Sequence, residues 1–426
     1  MNIYFSGIGG VGIGPLAEIA HDAGHTVTGS DAAEGRVTAQ LVEKGITVSI
    51  GQDGSFLEAR HQEQPLDWFV YTSALPDTHP ELVKARELGI RTGKRDEFLA
   101  EFIKAHSLKM IAIAGTHGKT STTGMAVWAF KQLGIPVSYS VGTTLTFGPS
   151  GAYEPGSEYF IYECDEFDRN FLHFNPEVSL ITSIDYDHPD TYPTEENYKQ
   201  AFLQYIQQSA HTYMWESDRA YIGAIASNAV EILQADSVLP LEALHLPGAH
   251  TRRNATLVHT LLTRLKICDE ATVLSVLNTF PGTDRRFELI APLLYSDYGH
   301  HPKEIAATLQ LAREISEHVT LVYQPHQNVR QHEVREKYTD EVFQGADEIY
   351  WLPTYLTREN TTQEILSPET LTNRLHRDGS LHFGDLNDGL ESAITTAREN
   401  GSLVLCMGAG TIDAWVRAYA AKAPTL

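Results

Sequence analysis

The sequence predicts an α/β protein of three domains, and three observations lead to that prediction. At about 150 residues per domain, 426 residues are too many for one hydrophobic core. Strand-like and helix-like patterns alternate along the chain, which favours mostly parallel sheets covered by helices. The alternation begins anew near residue 107 and again after the turn at Pro281 and Gly282. We therefore place the domains at residues 1–107, 108–282 and 283–426.

The first domain opens with a βαβ pattern. Asn2–Ser6 and His25–Gly29 read as strands, Ile13–Ala23 reads as a helix, and Asp31 follows the second strand. Between the first strand and the helix lies a GxGxxG loop, made of Gly7, Ile8, Gly9, Gly10, Val11 and Gly12. Such a loop lets backbone amides approach a diphosphate, so we predict a Rossmann-like domain. The glycines do not decide between NAD and a nucleotide sugar.

Three further segments complete this domain. Trp68–Thr72 reads as a strand and Pro80–Leu88 as a helix, which continues the parallel alternation. Asp96–His106 is polar and helix-like, and we expect it to connect the first domain to the second.

The second domain opens with the strand MIAIAG and the loop GTHGKT, followed by a helix running towards Leu133. In this context Lys119 can reach the β- and γ-phosphates of a nucleotide and Thr120 can ligate Mg²⁺. The loop is shorter than the usual GxxxxGK[ST] pattern. We predict a central P-loop ATPase domain with a mostly parallel sheet. Its phosphate-binding residues are Gly115, Thr116, His117, Gly118, Lys119, Thr120 and Ser121.

Acidic clusters follow two later strands of this domain, Tyr159–Cys164 and Val178–Ile184. Because the ends of parallel strands meet at one sheet edge, ECDEFD and DYDHPD should lie close together. In a chain that binds ATP, Glu163 and His188 are then candidate Mg²⁺ ligands. The alternative is that these are solvated acidic loops.

The third domain repeats the pattern with the strand Leu293–Ser296, a helix from Pro302, the strand HVTLVY, a helix after Arg330, and the strand EIYWL. It closes with SLVLCMG, the loop GAG and a helix from Thr411, and we predict a second Rossmann-like α/β fold. Polar residues follow two of these strands, in DYGHHP and QPHQNVR. Each histidine alone is more often structural, but the cluster suggests a substrate surface.

Composition excludes several classes of protein. The formal charge of −23 disfavours nucleic acid as a partner. The three cysteines lie far apart, which indicates neither a zinc site nor a disulfide framework. No apolar run reaches about 18 residues and no leader pattern opens the chain, so we expect a cytoplasmic protein without membrane insertion.

Taken in order, these motifs resemble the Mur ligase family from Gly7 to about Ala414. The resemblance rests on GTHGKTST, ECDEFD, DHPDTY, GAHTRRN, DRRFE, DYGHHP, QPH with a following Arg, and the terminal GAG. The opening GIGGVG with TGSD is most similar to the branch that attaches L-alanine to UDP-N-acetylmuramate. The resemblance implies an ATP- and Mg²⁺-dependent amide ligase of peptidoglycan precursor synthesis that works through an acyl phosphate, as a monomer or weak homodimer.

The resemblance also implies roles for single residues. The glycine loop is reassigned from NAD to the UDP of the sugar, with further contacts from Ser30, Asp31 and Ser73. Lys119, Glu163 and His188 would be catalytic, and Thr120 would join the last two in holding the metal. Additional ATP contacts would come from His250, Asn254, Arg286, Asp297 and Tyr298. The amino acid would meet His300, His326 and Arg330.

The chain departs from the family pattern at two positions, of which the second leaves the identity of the amino acid open. Thr251 stands at the first Asn of the family's GxHNxxN pattern, and Gln327 stands where this branch usually places an Arg. L-Alanine or another small amino acid is therefore expected. One alternative is a related recycling ligase that attaches a preformed peptide to the same sugar. A more distant alternative is a nicotinamide-dependent dehydrogenase.

Overall fold

A computed structural model describes residues 1–72, 74–189, 191–223, 225, 229–357, 359–360, 362–377 and 379–422. The chain forms two compact units. The first comprises Met1–Val238 with Asn254–Pro281, and the second comprises Leu239–Arg253 with Gly282–Leu426. None of the described helices is long and apolar enough to cross a membrane.

The first sheet of the first unit is parallel throughout and has the order β3-β2-β1-β4-β5. Its strands are β1 (Asn2–Ser6), β2 (Thr26–Asp31), β3 (Thr47–Ile50), β4 (Trp68–Tyr71) and β5 (Arg91–Lys94). Its helices are α1 (Gly14–Asp22), α2 (Arg36–Glu43), α3 (Ser55–Glu63), α4 (Pro80–Glu87) and α5 (Arg95–Ala105). The order reverses between β1 and β4, which is where an open sheet of this kind usually binds its ligand.

The second sheet of this unit has the order β12-β11-β10-β6-β9-β7-β8, and only the β7–β8 pair is antiparallel among the described strands. Its strands are β6 (Lys109–Ala114), β7 (Val137–Ser140), β8 (Gly151–Ala152), β9 (Tyr159–Glu163), β10 (Val178–Ile181), β11 (His211–Trp215) and β12 (Val230–Leu233). Its helices are α6 (Lys119–Gln132), α7 (Glu195–Gln208), α8 (Glu216–Ile222), α9 (Ala249–Arg264) and α10 (Glu270–Leu277). Helix α9 begins in residues that cluster with the second unit.

The second unit contains a third sheet of order β13-β14-β18-β15-β16-β17, in which the β13–β14 pair is antiparallel. Its strands are β13 (Glu288–Ala291), β14 (Leu294–Asp297), β15 (Val319–Tyr323), β16 (Glu348–Trp351), β17 (Leu381–Phe383) and β18 (Leu403–Met407). Its helices are α11 (Pro302–Ile315), α12 (Asn328–Val334), α13 (Asp340–Phe343), α14 (Pro368–Leu371), α15 (Asp388–Glu399) and α16 (Ile412–Lys422).

The structure changes two details of the expected elements. The stretch expected as a polar connector is helix α5, and its Phe98, Leu99 and Phe102 are buried. They belong to one hydrophobic cluster with Met110 and Phe160 of the second sheet, so the first two sheets of this unit share a core. The helix expected after Arg330 is α12, which already begins before that residue.

Candidate active site

The loop between β6 and α6 has the geometry of a phosphate-binding turn. Gly118 adopts φ 86°, and a Cβ there would lie 2.8 Å from the Asn254 amide nitrogen. A Cβ on Gly115 would lie 2.4 Å from the Thr182 hydroxyl and 2.7 Å from the Ser183 carbonyl oxygen. Both glycines are therefore needed for backbone conformation or close packing. The predicted ATP residue Asn254 lies beside the loop.

Hydrogen bonds hold this loop against the end of β10. The amide of Thr116 donates to the Ser183 carbonyl at 2.8 Å, and the amide of His117 donates to the Ser183 hydroxyl at 2.9 Å. The Thr116 hydroxyl accepts from the Asp185 amide at 2.8 Å and lies 2.7 Å from the Tyr198 hydroxyl. The loop is thus positioned by residues that follow a neighbouring strand. Ser121 occupies the first turn of α6 and is partly exposed.

Lys119 forms a buried ion pair at this loop. Its Nζ donates to Glu166 Oε2 at 2.7 Å and to the Gly115 carbonyl at 2.5 Å, and the Glu166 side chain is 0% exposed. Burial alone would lower the pKa of Lys119, but the carboxylates of Glu166 and its acidic neighbours outweigh burial and hold that pKa above its ordinary value. Burial raises the pKa of Glu166. The lysine is therefore a fixed cation next to the phosphate-binding turn.

Thr120 and Glu163 come together as predicted. The Thr120 hydroxyl donates to Glu163 Oε1 at 2.8 Å, and Glu163 Oε2 accepts the Gly142 amide at 2.7 Å. A hydroxyl beside a carboxylate is the kind of oxygen pair that Mg²⁺ prefers. These two residues therefore fit a hard divalent cation held against phosphate.

His188 lies near Oε1 of Glu166, whereas Lys119 binds Oε2 of the same carboxylate. Its Nε2 is 3.7 Å from Glu166 Oε1, and its ring makes an edge contact with Phe167 at 5.2 Å between centroids. His188 has φ 59°, and Asp168, the last residue of the ECDEFD motif, and Arg169, which follows it, have φ 53° and 57°. Left-handed backbone at residues other than glycine is uncommon and concentrates at functional sites. His188 offers a nitrogen, which Mg²⁺ accepts less readily than oxygen.

The sequence reasoning did not single out Glu166. It lies in ECDEFD with three other carboxylates, and their composition cannot tell which one turns inward. The available signal was its place three residues beyond the end of β9, on the turn that carries Asp168 and Arg169.

The first-domain glycine loop is folded back on its own sheet. The amides of Gly7 and Ile8 both donate to the Ser30 carbonyl at 2.9 Å. The amide of Gly9 donates to Asp31 Oδ2 at 2.8 Å. A Cβ on Gly9 would lie 2.7 Å from Thr38 Cγ2 and 2.9 Å from Asp31 Oδ2, so a side chain there would disturb the loop itself. Asp31 thus holds the loop in place through its hydrogen bond with the Gly9 amide.

The predicted ligand contacts of this domain differ in accessibility. Val11 is exposed, whereas Ile8 and Ser30 are fully buried. The Ser30 hydroxyl donates to Glu81 Oε2 at 2.8 Å, so its side chain serves the domain interior. The same carboxylate group accepts from Tyr4 and Ser6. Ser73 lies outside the described residues.

In the second unit, Asp297 orders the loop after β14. Its two carboxylate oxygens accept the amides of Gly299 at 2.7 Å and Phe287 at 2.8 Å. Burial raises the pKa of Asp297 to about 6, against the opposing effect of Arg286. The Arg286 guanidinium carbon lies 5.1 Å from the Tyr298 ring centroid. The structure therefore brings together three predicted ATP contacts.

The predicted amino-acid residues also meet in the second unit. Arg330 Nη1 lies 2.5 Å from His300 Nε2, and the rings of His300 and His326 are 5.7 Å apart. A guanidinium can only donate, so His300 Nε2 accepts and its Nδ1 carries the proton toward the Tyr298 carbonyl at 3.2 Å. Burial lowers the pKa of His300 to about 4, which agrees with a neutral ring. His300 therefore orients Arg330.

The GAHTRRN segment contains residues of both units. His250 belongs to the second unit and Asn254 to the first. Burial lowers the pKa of His250 to about 4, so the ring is neutral near pH 7. Its neighbours are tied down within the second unit, where Glu314 accepts from the Gly248 amide and from Arg252, both at 2.8 Å.

Family models match three successive parts of the chain. The Mur ligase family catalytic domain matches residues 2–107, the Mur ligase middle domain matches 113–234, and the Mur ligase glutamate ligase domain matches 285–410.

Several known proteins are similar over nearly the whole chain. A UDP-N-acetylmuramate–L-alanine ligase of Coxiella burnetii (strain Dugway 5J108-111) is 31% identical over 98% of this chain and 97% of its own length. A ligase of the same name from Agathobacter rectalis is 30% identical over 97% and 96%. The solved UDP-N-acetylmuramate-alanine ligase of Thermotoga maritima is 26% identical, with a TM-score of 0.79 over 99% of both chains. A murein peptide ligase of Psychrobacter arcticus shares the fold at 22% identity and a TM-score of 0.65, covering 100% of both chains.

Proposed function

The chain belongs to the Mur ligase family, and we propose that it joins L-alanine to the carboxylate of UDP-N-acetylmuramate with conversion of ATP to ADP and phosphate. The observation that carries this proposal is the pairing of Lys119 with Glu166 and of Thr120 with Glu163 on one phosphate-binding turn. Two consecutive residues of this turn thus supply a cation, Lys119, and a hydroxyl ligand for a divalent metal ion, Thr120.

Each predicted domain has one task in this proposal. Residues 1–107 hold the UDP of the sugar, residues 108–282 hold ATP, and residues 283–426 hold the amino acid. The protein acts in the cytoplasm as a monomer or weak homodimer. The buried free thiols of Cys164 and Cys406 are compatible with a reducing compartment.

The chemistry consists of two displacements. The sugar carboxylate attacks the γ-phosphorus of ATP, ADP leaves, and an acyl phosphate forms. The amine of the amino acid then attacks the acyl carbon, phosphate leaves, and the amine proton passes to solvent. Both attacks bring anions or lone pairs toward negative charge, so the protein contributes mainly fixed positive charge and orientation.

Four residues supply those contributions at the phosphates. Lys119 stays protonated because its acidic neighbours raise its pKa, so it can stabilise the transferring phosphoryl oxygens. Thr120 and Glu163 would hold Mg²⁺, with His188 as a further donor. When bound, Mg²⁺ screens the repulsion between the phosphates and the attacking carboxylate.

The amino acid has a matching site in the second unit. Arg330, oriented by His300, presents a guanidinium that can bind the carboxylate of an amino acid. Gln327 immediately precedes α12, has φ 61° and contributes no charge. The site is therefore expected to hold a small amino acid through one guanidinium.

A phosphate-release assay tests the proposal. The chain is incubated with ATP, Mg²⁺ and UDP-N-acetylmuramate, and with L-alanine, glycine, L-serine or the peptide L-alanyl-γ-D-glutamyl-meso-diaminopimelate. Release that depends on both the sugar and L-alanine supports the proposal. Phosphate release with the sugar and the peptide, but with none of the single amino acids, would favour a peptide-attaching ligase. No phosphate release with any acceptor would refute the proposed activity.

A further inference from the structure

The first-domain glycine loop has two sets of backbone amides. Those of Gly7, Ile8, Gly9 and Gly10 donate within the domain, to the Ser30 carbonyl, to Asp31 and to the Gly7 carbonyl. The amides of Val11 and Gly12 donate to no group in the part of the chain that the structure describes. Any anion bound by this loop is therefore directed to its C-terminal half, away from the Asp31 carboxylate.

A guanidinium lies on that half of the loop. Arg95 follows β5 and begins α5, and its side chain reaches back across the sheet edge to Gly12. A Cβ on Gly12 would lie 3.0 Å from Arg95 Cζ and would overlap Nη1. The absence of a side chain at residue 12 thus makes room for this contact. Among the described residues Arg95 makes no hydrogen bond or salt bridge.

The position of Arg95 suits a ligand of this sheet. Strand β4 lies between β1, which the loop follows, and β5, which Arg95 follows. The guanidinium therefore covers the point where the strand order reverses, the usual ligand position of an open parallel sheet. Its charge also reaches the Tyr162 phenol on β9. In a chain of formal charge −23, a phosphate ligand needs a local cation of this kind.

We propose that Arg95 binds the diphosphate of the nucleotide sugar, together with the amides of Val11 and Gly12. The planar guanidinium can donate two parallel hydrogen bonds to phosphate oxygens, and the two amides without a partner among the described residues donate to the same diphosphate. The proposal rests on the proposed function, because it takes UDP-N-acetylmuramate as the ligand. It makes Arg95 a substrate-binding residue of the first domain.

Calorimetry on the full chain tests the proposal with UDP-N-acetylmuramate and with UDP as ligands. Arg95→Gln should weaken both by about tenfold or more, because a charge-assisted contact to phosphate is lost. The Arg95→Lys variant keeps the charge but loses the planar pair of donors, so its affinity for both ligands should lie between those of the wild type and Arg95→Gln. In turnover, the KM for the sugar should rise while kcat and the KM for ATP stay unchanged.

The matched control is Arg91→Gln. Arg91 is the first residue of β5, the strand that Arg95 follows, and it stacks on Trp68 with its guanidinium 3.8 Å from the ring centroid and pairs with Glu101. The Arg91→Gln variant should bind both ligands with the affinity of the wild type. A second variant, Gly12→Ala, leaves Arg95 in the chain but fills its position, so it should weaken UDP binding in the wild type and much less in the Arg95→Gln background.

The outcomes separate the two proposals. Wild-type affinity of Arg95→Gln for UDP, within twofold, would overturn the role of Arg95, as would a loss confined to the sugar ligand. An equal loss of affinity in Arg91→Gln would mean that the substitutions act through the structure of this region, and it would also overturn the role of Arg95. If the wild type itself fails to bind UDP-N-acetylmuramate, the proposed function fails first.

Discussion

Replacing Lys119 by Met should cost both turnover and stability. The Glu166 carboxylate, at 0% exposure, would lose the ammonium at 2.7 Å. Leaving one partner of a buried pair uncompensated costs about 3–5 kcal/mol. The hydroxyl of Tyr198 at 3.4 Å and His188 at 3.7 Å remain near the carboxylate, which points to the lower end of that range. Turnover should fall by about 10²-fold or more because positive charge at the phosphates is lost.

A paired variant separates the two effects. Adding Glu166→Gln to Lys119→Met removes the uncompensated charge, so the urea midpoint should recover toward that of the wild type. Turnover should stay low, because the amide supplies no positive charge to phosphate. The measurements are urea unfolding followed by circular dichroism and phosphate release under saturating ATP. An unchanged urea midpoint for Lys119→Met would refute the ion-pair argument, and restored turnover in the paired variant would refute the role of Lys119.

The pH dependence of Lys119→Met has a definite sign. Burial raises the pKa of Glu166 above its ordinary value of 4.5, and loss of Lys119 removes an interaction that opposes this rise. Between pH 4.5 and the pKa of the folded state, the folded protein binds more protons than the unfolded chain, so stability falls as pH rises. The variant should therefore lose more stability relative to the wild type at pH 8 than at pH 5.

Three further predictions follow from other parts of the structure. Gly118→Ala should lower ATP turnover and cost about 1 kcal/mol of stability, since Ala is strained at φ 86° and meets the Asn254 amide; unchanged ATP turnover would contradict this. The pair with Arg252 lowers the pKa of Glu314 to about 2, so its contribution is present above pH 4.5 and lost as pH falls toward 2. Glu314→Gln should therefore lower the free energy of unfolding at pH 7 by about 1 kcal/mol after solvent screening, seen as a lower melting temperature, and should not do so near pH 2. Gln327→Arg should lower the amino-acid KM by about tenfold and leave the ATP KM unchanged, because one charge-assisted bond is added; a higher or unchanged KM would point to a different amino acid.

The sequence determined those features that depend on neighbouring residues. The strand–loop–helix around Gly118 and Lys119 was predictable because a glycine-rich turn between an apolar strand and a helix has few conformations. The convergence of Thr120 with Glu163 followed from the meeting of parallel strand ends at one edge.

Only the tertiary structure decided which side chains meet. Lys119 and Glu166 are 47 residues apart, and nothing local distinguishes Glu166 from the other carboxylates of its motif. Likewise, Arg95 reaches Gly12 because β5 lies beside β4, and the Gly9 amide is engaged because Asp31 turns toward it. Such contacts depend on strand order and on the direction in which each turn leaves the sheet. Local periodicity does not encode either property, because burial of the whole core selects them together.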